Sequence, residues 1–273
     1  MTHETPNDWT FIAYHPELEK LREEVDALRA EISALVPERD NLLYQECKNI
    51  EMAYMLAVGA LEYTAYETEC AILRLKRKAE LLQACKNRQE AIVISKIERM
   101  LDEEFAAYQE MLDEKIKKMN AALERSHGKK LSAEETREIK QLYHAIVKAI
   151  HPDLHPDLSD AKTQLFHTAV EAHGRGDLER LRIIAAMLSG PGLSPEKPGR
   201  FDVLMEERER LTRLTQGLRD EIAEIQSSYP YTMKALIQSP EKVEARKAEI
   251  ATHIQQLNEI FAAYNAKVEE MLR

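Results

Sequence analysis

Two stretches whose apolar residues recur every three or four positions meet at a segment that cannot be helical, His151-Pro152-Asp153-Leu154-His155-Pro156-Asp157. Upstream, Ser132 followed by Glu135 makes a capping box, in which the hydroxyl takes one orphan backbone N–H and the carboxylate reaches back to another. A helix therefore starts there. Ile139, Leu142, Tyr143, Ile146, Val147 and Ile150 then share one of its faces. Pro152 turns His151 away from the helical region and brings no N–H of its own, and Pro156 repeats the effect. Downstream, Ser159 or Asp160 can cap a second helix whose apolar face carries Leu165, Phe166, Ala169, Val170 and Ala172. The pattern predicts two helices facing each other across a short, stiff, polar loop.

In order and spacing these residues resemble the J-domain, the helical hairpin through which co-chaperones stimulate seventy-kilodalton heat-shock ATPases. Glu134-Glu135, Arg137 to Lys140 and Tyr143 look like the family's second helix. His151-Pro152-Asp153 look like its signature loop, and Leu165-Phe166 with Glu171-Ala172 look like its third helix. A second His-Pro-Asp stands at His155-Pro156-Asp157; family members often carry a proline at the place of Pro156, which assigns the signature to the first copy. The resemblance implies that His151, Pro152 and Asp153 engage the ATPase, with Lys140, His144 and Lys148 as an electrostatic surface. It also implies that the protein's other helices serve as client-binding or localising arms, and that no chemistry or cofactor resides in the chain. Two departures stand beside it. Ala145 and Ala149 occupy places often taken by Arg or Lys, and the family's short first helix is not recognisable in residues 123 to 131. They keep a second reading open, a non-catalytic coiled-coil scaffold or assembly subunit that holds the hairpin without stimulating an ATPase.

The rest of the chain narrows the class. Of 273 residues, 32% are charged and only eight are glycine, and the mean hydropathy is -0.48. Alternating β-branched and polar runs bounded by turn signals are absent, so the expectation is an all-α chain: a J-domain-like hairpin flanked by long helices and antiparallel coiled coils. A net charge of -10 argues against nucleic acid as the main partner, because that binding needs a clustered basic surface to release counterions. The basic runs Arg74 to Lys78 and Lys115 to Lys118 spread around helices among glutamates. No signal-peptide pattern opens the chain and no run of apolar residues is long enough to cross a membrane, so a soluble, cytoplasmic protein is expected. Cys47, Cys70 and Cys85 are widely spaced, with no CxxC pair, and read as small buried hydrophobes in a reducing compartment.

Residues 1–16 carry an aromatic cluster at Trp9, Phe11 and Tyr14, expected to pack on a neighbouring helix. Residues 17–127 read as a long-helix region. Leu18, Leu21, Val25, Leu28, Ile32 and Leu35 form a coiled-coil seam that meets Pro37, where the helix bends or a new one begins. The run Ala91 to Ser95, although β-branched, reads as helix because charged helical sequence encloses it. Residues 128–190 form the J-like module, residues 191–200 a Pro/Gly-rich linker, and residues 201–273 an antiparallel helical hairpin around the turn at Tyr229-Pro230-Tyr231. Heptads alone do not separate pairing within one chain from a homo-oligomer.

A third reading is a metal-dependent hydrolase, since His144, His151, Asp153, His155, Asp157 and His167 gather near one loop and are suitable ligands. Two prolines break the helical spacing such a site needs, and no HExxH, phosphate loop or nucleophile elbow accompanies it. The expectation is therefore no enzyme, no metal and no cofactor, with partners limited to the ATPase and to client or scaffold proteins.

Overall fold

A computed structural model of the chain describes residues 16–127, 131–188 and 201–273. They form eleven α-helices: α1 (Pro16–Asn41), α2 (Cys47–Tyr54), α3 (Ala60–Asn87), α4 (Ile94–Glu104), α5 (Ala106–His127), α6 (Ala133–Ile150), α7 (Asp160–Arg175), α8 (Leu178–Leu188), α9 (Phe201–Ser227), α10 (Lys234–Ile237) and α11 (Pro240–Leu272). Two π-helical turns, Leu42–Glu46 and Met55–Gly59, join α1, α2 and α3. No strand occurs among the described residues, so the chain is all-α. The expectations for Trp9, Phe11, Tyr14 and the linker at 191–200 lie outside the described residues. The chain divides into two compact units, one built from residues up to Tyr44 and from Leu131–Ile225, the other from Gln45–Lys130 and Gln226–Arg273.

In the first unit, α1, α6, α7, α8 and α9 share one core, centred on Ile32, Tyr143, Ile146, Leu181 and Leu211. Every apolar residue that spacing assigned to the inner face of α6 is buried except Leu142, which is half-buried. Pro37 lies inside α1, so of the two outcomes expected there the start of a new helix is ruled out. Proline inside a helix costs about 3 kcal/mol. Ile32 and Val36 are almost fully buried beside it, and each such side chain contributes about 1.5–3 kcal/mol, enough to carry the helix through. Between α1 and α9 run ion pairs Glu24–Arg208 at 3.2 Å, Arg29–Glu207 at 3.3 Å and Arg39–Glu221 at 3.3 Å, with Glu31–Arg219 among them. Residue numbers climb together along both helices, so α1 and α9 lie parallel. These partly exposed pairs each contribute about 0–1 kcal/mol; they set direction and register more than stability.

In the second unit, α3 and α11 form the central pair. Glu62–Arg246 at 3.5 Å and Glu69–His253 at 3.0 Å again climb together, so this pair is parallel too. Ser239 accepts a hydrogen bond from the Lys242 N–H and Pro240 opens α11 at its first turn, as the sequence indicates. The run Ala91 to Ser95 is not one helix. Gln89 adopts a left-handed φ of 57° and Val93 is extended, so residues 88–93 form a corner and α4 begins only at Ile94. Pairs Arg74–Asp102 at 2.8 Å and Lys78–Glu98 at 2.5 Å then hold α4 antiparallel to α3. Neither glycine nor proline marks this corner, which is why charged flanking sequence hid it.

The C-terminal hairpin expected of residues 201–273 is corrected by these pairings. The stripe of α9 is buried in the first unit with α1, and that of α11 in the second with α3. Each stripe is covered by a helix from the first third of the chain. The chain changes unit between Lys130 and Leu131, three residues from the boundary expected after residue 127, and also inside the π-helical turn at Leu42–Glu46, where no boundary was expected.

Candidate functional site

The site is built on the stop between α6 and α7. Both halves of the capping box are present: Ser132 Oγ accepts from the Glu135 N–H at 3.0 Å, and the Glu135 carboxylate accepts from the Ser132 N–H at 2.8 Å. α6 ends at Ile150, and His151 turns to extended backbone with ψ at 128° ahead of Pro152. The loop is then closed by its own backbone. The His151 carbonyl accepts from the N–H groups of Leu154 and His155, both at 3.0 Å. Ser159 occupies the N-cap position of α7, but its side chain makes no capping bond. At the far end of α7, Gly176 takes a left-handed φ of 69°, and Asp177 caps α8 by accepting from the Arg180 N–H at 3.0 Å.

The six sequence-predicted contact residues divide by exposure. Lys140, His144 and Lys148 are exposed and spaced four apart, so they form one stripe along α6. Asp153 is exposed and Pro152 half-buried. His151 is only 7% exposed. Its ring stands edge-on to Phe166 at 4.9 Å, and its Nδ1 accepts from the Asp153 N–H at 3.1 Å, which leaves the proton on Nε2 in the neutral ring. Burial lowers the His151 pKa below the usual imidazole range against the opposing pull of Asp153, so the ring is held neutral. The second copy of the tripeptide plays a different part, since His155 Nε2 lies 2.8 Å from the Lys148 carbonyl and caps the open end of α6.

Beneath the hairpin lies a polar cluster that sequence reasoning missed. Asp40 of α1 is 1% exposed. Its Oδ2 accepts from the Tyr143 hydroxyl at 2.5 Å, and its Oδ1 accepts from Arg39 Nε and Nη2 at 2.9 and 2.7 Å. Tyr143 also stacks on His173 at 4.2 Å. Burial first, then the Asp40 charge, pushes the Tyr143 hydroxyl well above the usual phenol range; burial pushes His173 below the usual imidazole range. One signal for Asp40 was available, since it falls four residues after Val36 on the core-facing stripe of α1, where a carboxylate needs a partner.

α9 reaches the same loop. Arg210 Nη2 donates to the Asp153 carbonyl at 2.6 Å, while Glu207 holds Arg210 at 2.7 Å and is itself paired with Arg29. Leu154 of the loop and Leu211 of α9 are buried in one core. The exposed groups are thus two ammonium groups, an imidazole and a carboxylate on a braced backbone, a set suited to ion pairing with a protein surface. Among the described residues no three His, Cys, Asp or Glu side chains converge as metal ligands, and no helix is long and apolar enough to cross a membrane. Comparison with protein-family models, with curated proteins and with solved structures finds no match, so the reading of this site rests on its own residues.

Proposed function

We propose that the α6–loop–α7 hairpin is a J-domain-like docking element for a seventy-kilodalton heat-shock ATPase, acting as a co-chaperone with no chemistry of its own. The observation that carries this reading is the exposed Lys140, His144 and Lys148 stripe running directly into a His-Pro-Asp loop that is closed by its own backbone bonds. Such a surface offers positive charge beside a carboxylate of fixed position, which favours a specific acidic partner surface over nonspecific contact. Pro152 limits the conformational freedom the loop loses on binding. Single-turnover ATP hydrolysis by a cognate heat-shock ATPase, with and without the full chain, tests the reading. Stimulation is expected; Asp153→Asn should remove it, and His155→Gln should leave most of it. Equal loss from both substitutions would refute the assignment of the signature to the first copy.

A second reading is favoured by two specific observations, the burial of His151 and the hold of Arg210 on the Asp153 carbonyl. In it the hairpin is a packing module inside a helical scaffold and stimulates no ATPase. The absence of stimulation from a folded, monodisperse protein would select this reading.

A further inference from the structure

The second unit contains a cleft of about 240 Å³ between the π-helical turn Met55–Gly59, α3, α5 and the turn that carries Tyr229. One side is aromatic and apolar, formed by Tyr54, Tyr229, Met55 and Met119. The rings of Tyr54 and Tyr229 meet edge-on at 6.2 Å. A π-helical turn widens its helix locally, and such turns recur at functional sites. Gly59 adds to the opening, because a Cβ there would meet Met55 Sδ at 3.3 Å and Met119 Cγ at 3.5 Å.

The cleft carries charges of both signs. The carboxylate that lines it, Glu62, is already satisfied: the Tyr54 hydroxyl donates to it at 2.5 Å and Arg246 lies 3.5 Å away. Burial, and then the bond to Glu62, pushes the Tyr54 hydroxyl up to about 12, so it remains a donor at neutral pH. Lys115 and Lys118 line the cleft from α5, beside Met119 of the same helix. Lys115 Nζ sits 5.1 Å over the Tyr66 ring, and neither ammonium group is ion-paired among the described residues. The two lysines thus place cations without ion partners beside the aromatic side chains of the cleft, while the carboxylates of Glu51, Glu67 and Asp113 lie near its tyrosines.

We propose that this cleft binds a small planar aromatic anion, a single ring bearing a phosphate or carboxylate, with the ring against Tyr54, Tyr229 and the methionines and the anionic group between Lys115 and Lys118. Size decides the class. The cleft, about 240 Å³, lies below the roughly 300–1,000 Å³ of sites for drug-sized ligands, so it matches a single ring better than a nucleotide. The ring supplies apolar burial and ring-face contact with Met sulfur; the lysines supply orientation.

Phenyl phosphate titrated into the full-length protein, with the Met55 and Met119 methyl resonances as reporters and calorimetry alongside, tests the proposal independently of any ATPase. Saturable shifts at both methyls are expected. Phenol and inorganic phosphate should each bind about tenfold more weakly, because each lacks one half of the recognition. Lys118→Glu should weaken phenyl phosphate by about tenfold or more, whereas Lys117→Glu, the same charge change on the same helix outside the cleft, should leave binding within about twofold. All these lysines are at least partly exposed, so the variants retain the fold. No methyl shift at about 10 mM phenyl phosphate, equal binding of inorganic phosphate, or equal losses from the Lys117 and Lys118 variants would each overturn the proposal.

Discussion

Removing one oxygen atom at Tyr143 should loosen the whole hairpin from α1. Tyr143→Phe keeps the ring that stacks on His173 at 4.2 Å and removes only the hydroxyl that donates to Asp40 at 2.5 Å. Asp40 is 1% exposed and Tyr143 is fully buried, so water cannot replace the lost donor without opening the core. A hydrogen bond to a charged group contributes about 1.5–3 kcal/mol, and the packed ring adds no cavity to that loss, so the expected destabilisation is about 2 kcal/mol. Asp40→Ala should cost more, about 3–5 kcal/mol, because it leaves both the hydroxyl and the Arg39 guanidinium without their acceptor. Urea unfolding followed by circular dichroism measures both, and a double-mutant cycle of Tyr143→Phe with Asp40→Asn isolates the pair. A loss below about 0.5 kcal/mol for Tyr143→Phe, or a coupling near zero, would refute the claim that this bond fastens the hairpin to α1.

Two further outcomes follow from buried polar groups in the same unit. Thr215 of α9 is 3% exposed, and its Oγ1 has no hydrogen-bond partner among the described residues. Thr215→Val should therefore stabilise the protein by about 1 kcal/mol in urea unfolding, and a loss of stability would show that the hydroxyl is satisfied. His151 and His173 both have pKa values lowered by burial, so the folded state binds fewer protons than the unfolded state near and below the ordinary value of 6.5. Their contribution is present above that value and is lost as pH falls toward the folded pKa values, by up to about 1.4 kcal/mol per pH unit for each residue. Stability followed from pH 8 down to pH 5 in steps of about one unit should fall below about 6.5; stability that stayed flat or rose through that window would show that these rings are not held neutral.

How much of the site could be read from residues alone depended on whether the cause was local. The capping box and the stop at His151 each arise within four residues, and both stand where the spacing put them. The exposure of Lys140, His144 and Lys148 follows from the same helical period. The burial of His151 does not, because it depends on Phe166 from the next helix. The hold of Arg210 on the Asp153 carbonyl spans 57 residues, and the pairing of Tyr143 with Asp40 spans 103. Arg210 stood in a run of alternating charge that a solvated helix face explains equally well, so nothing in its neighbourhood singled it out.

The pairing of the long helices failed to emerge for a different reason. A stripe of Leu and Ile at three- and four-residue spacing fits any similar stripe, and the nearest one in sequence favours a hairpin because a short loop closes it at low entropic cost. A parallel pair cannot be closed that way, since the end of a 26-residue helix such as α1 lies about 39 Å from its start. The chain must travel back before the second helix begins, and sequence separations of 178 to 188 residues between the charged partners of α1 and α9 record that return. The information that selects partner and direction is in the charges flanking the stripe. Glu24, Arg29, Glu31 and Arg39 along α1 meet Arg208, Glu207, Arg219 and Glu221 along α9, each opposed in sign. Reversing α9 would bring Glu221 toward Glu24 and Arg208 toward Arg39, placing like charges together at both ends. Each exposed pair is weak alone, but the difference between four attractions and repulsion at both ends is enough to discriminate between two orientations whose apolar burial is nearly the same.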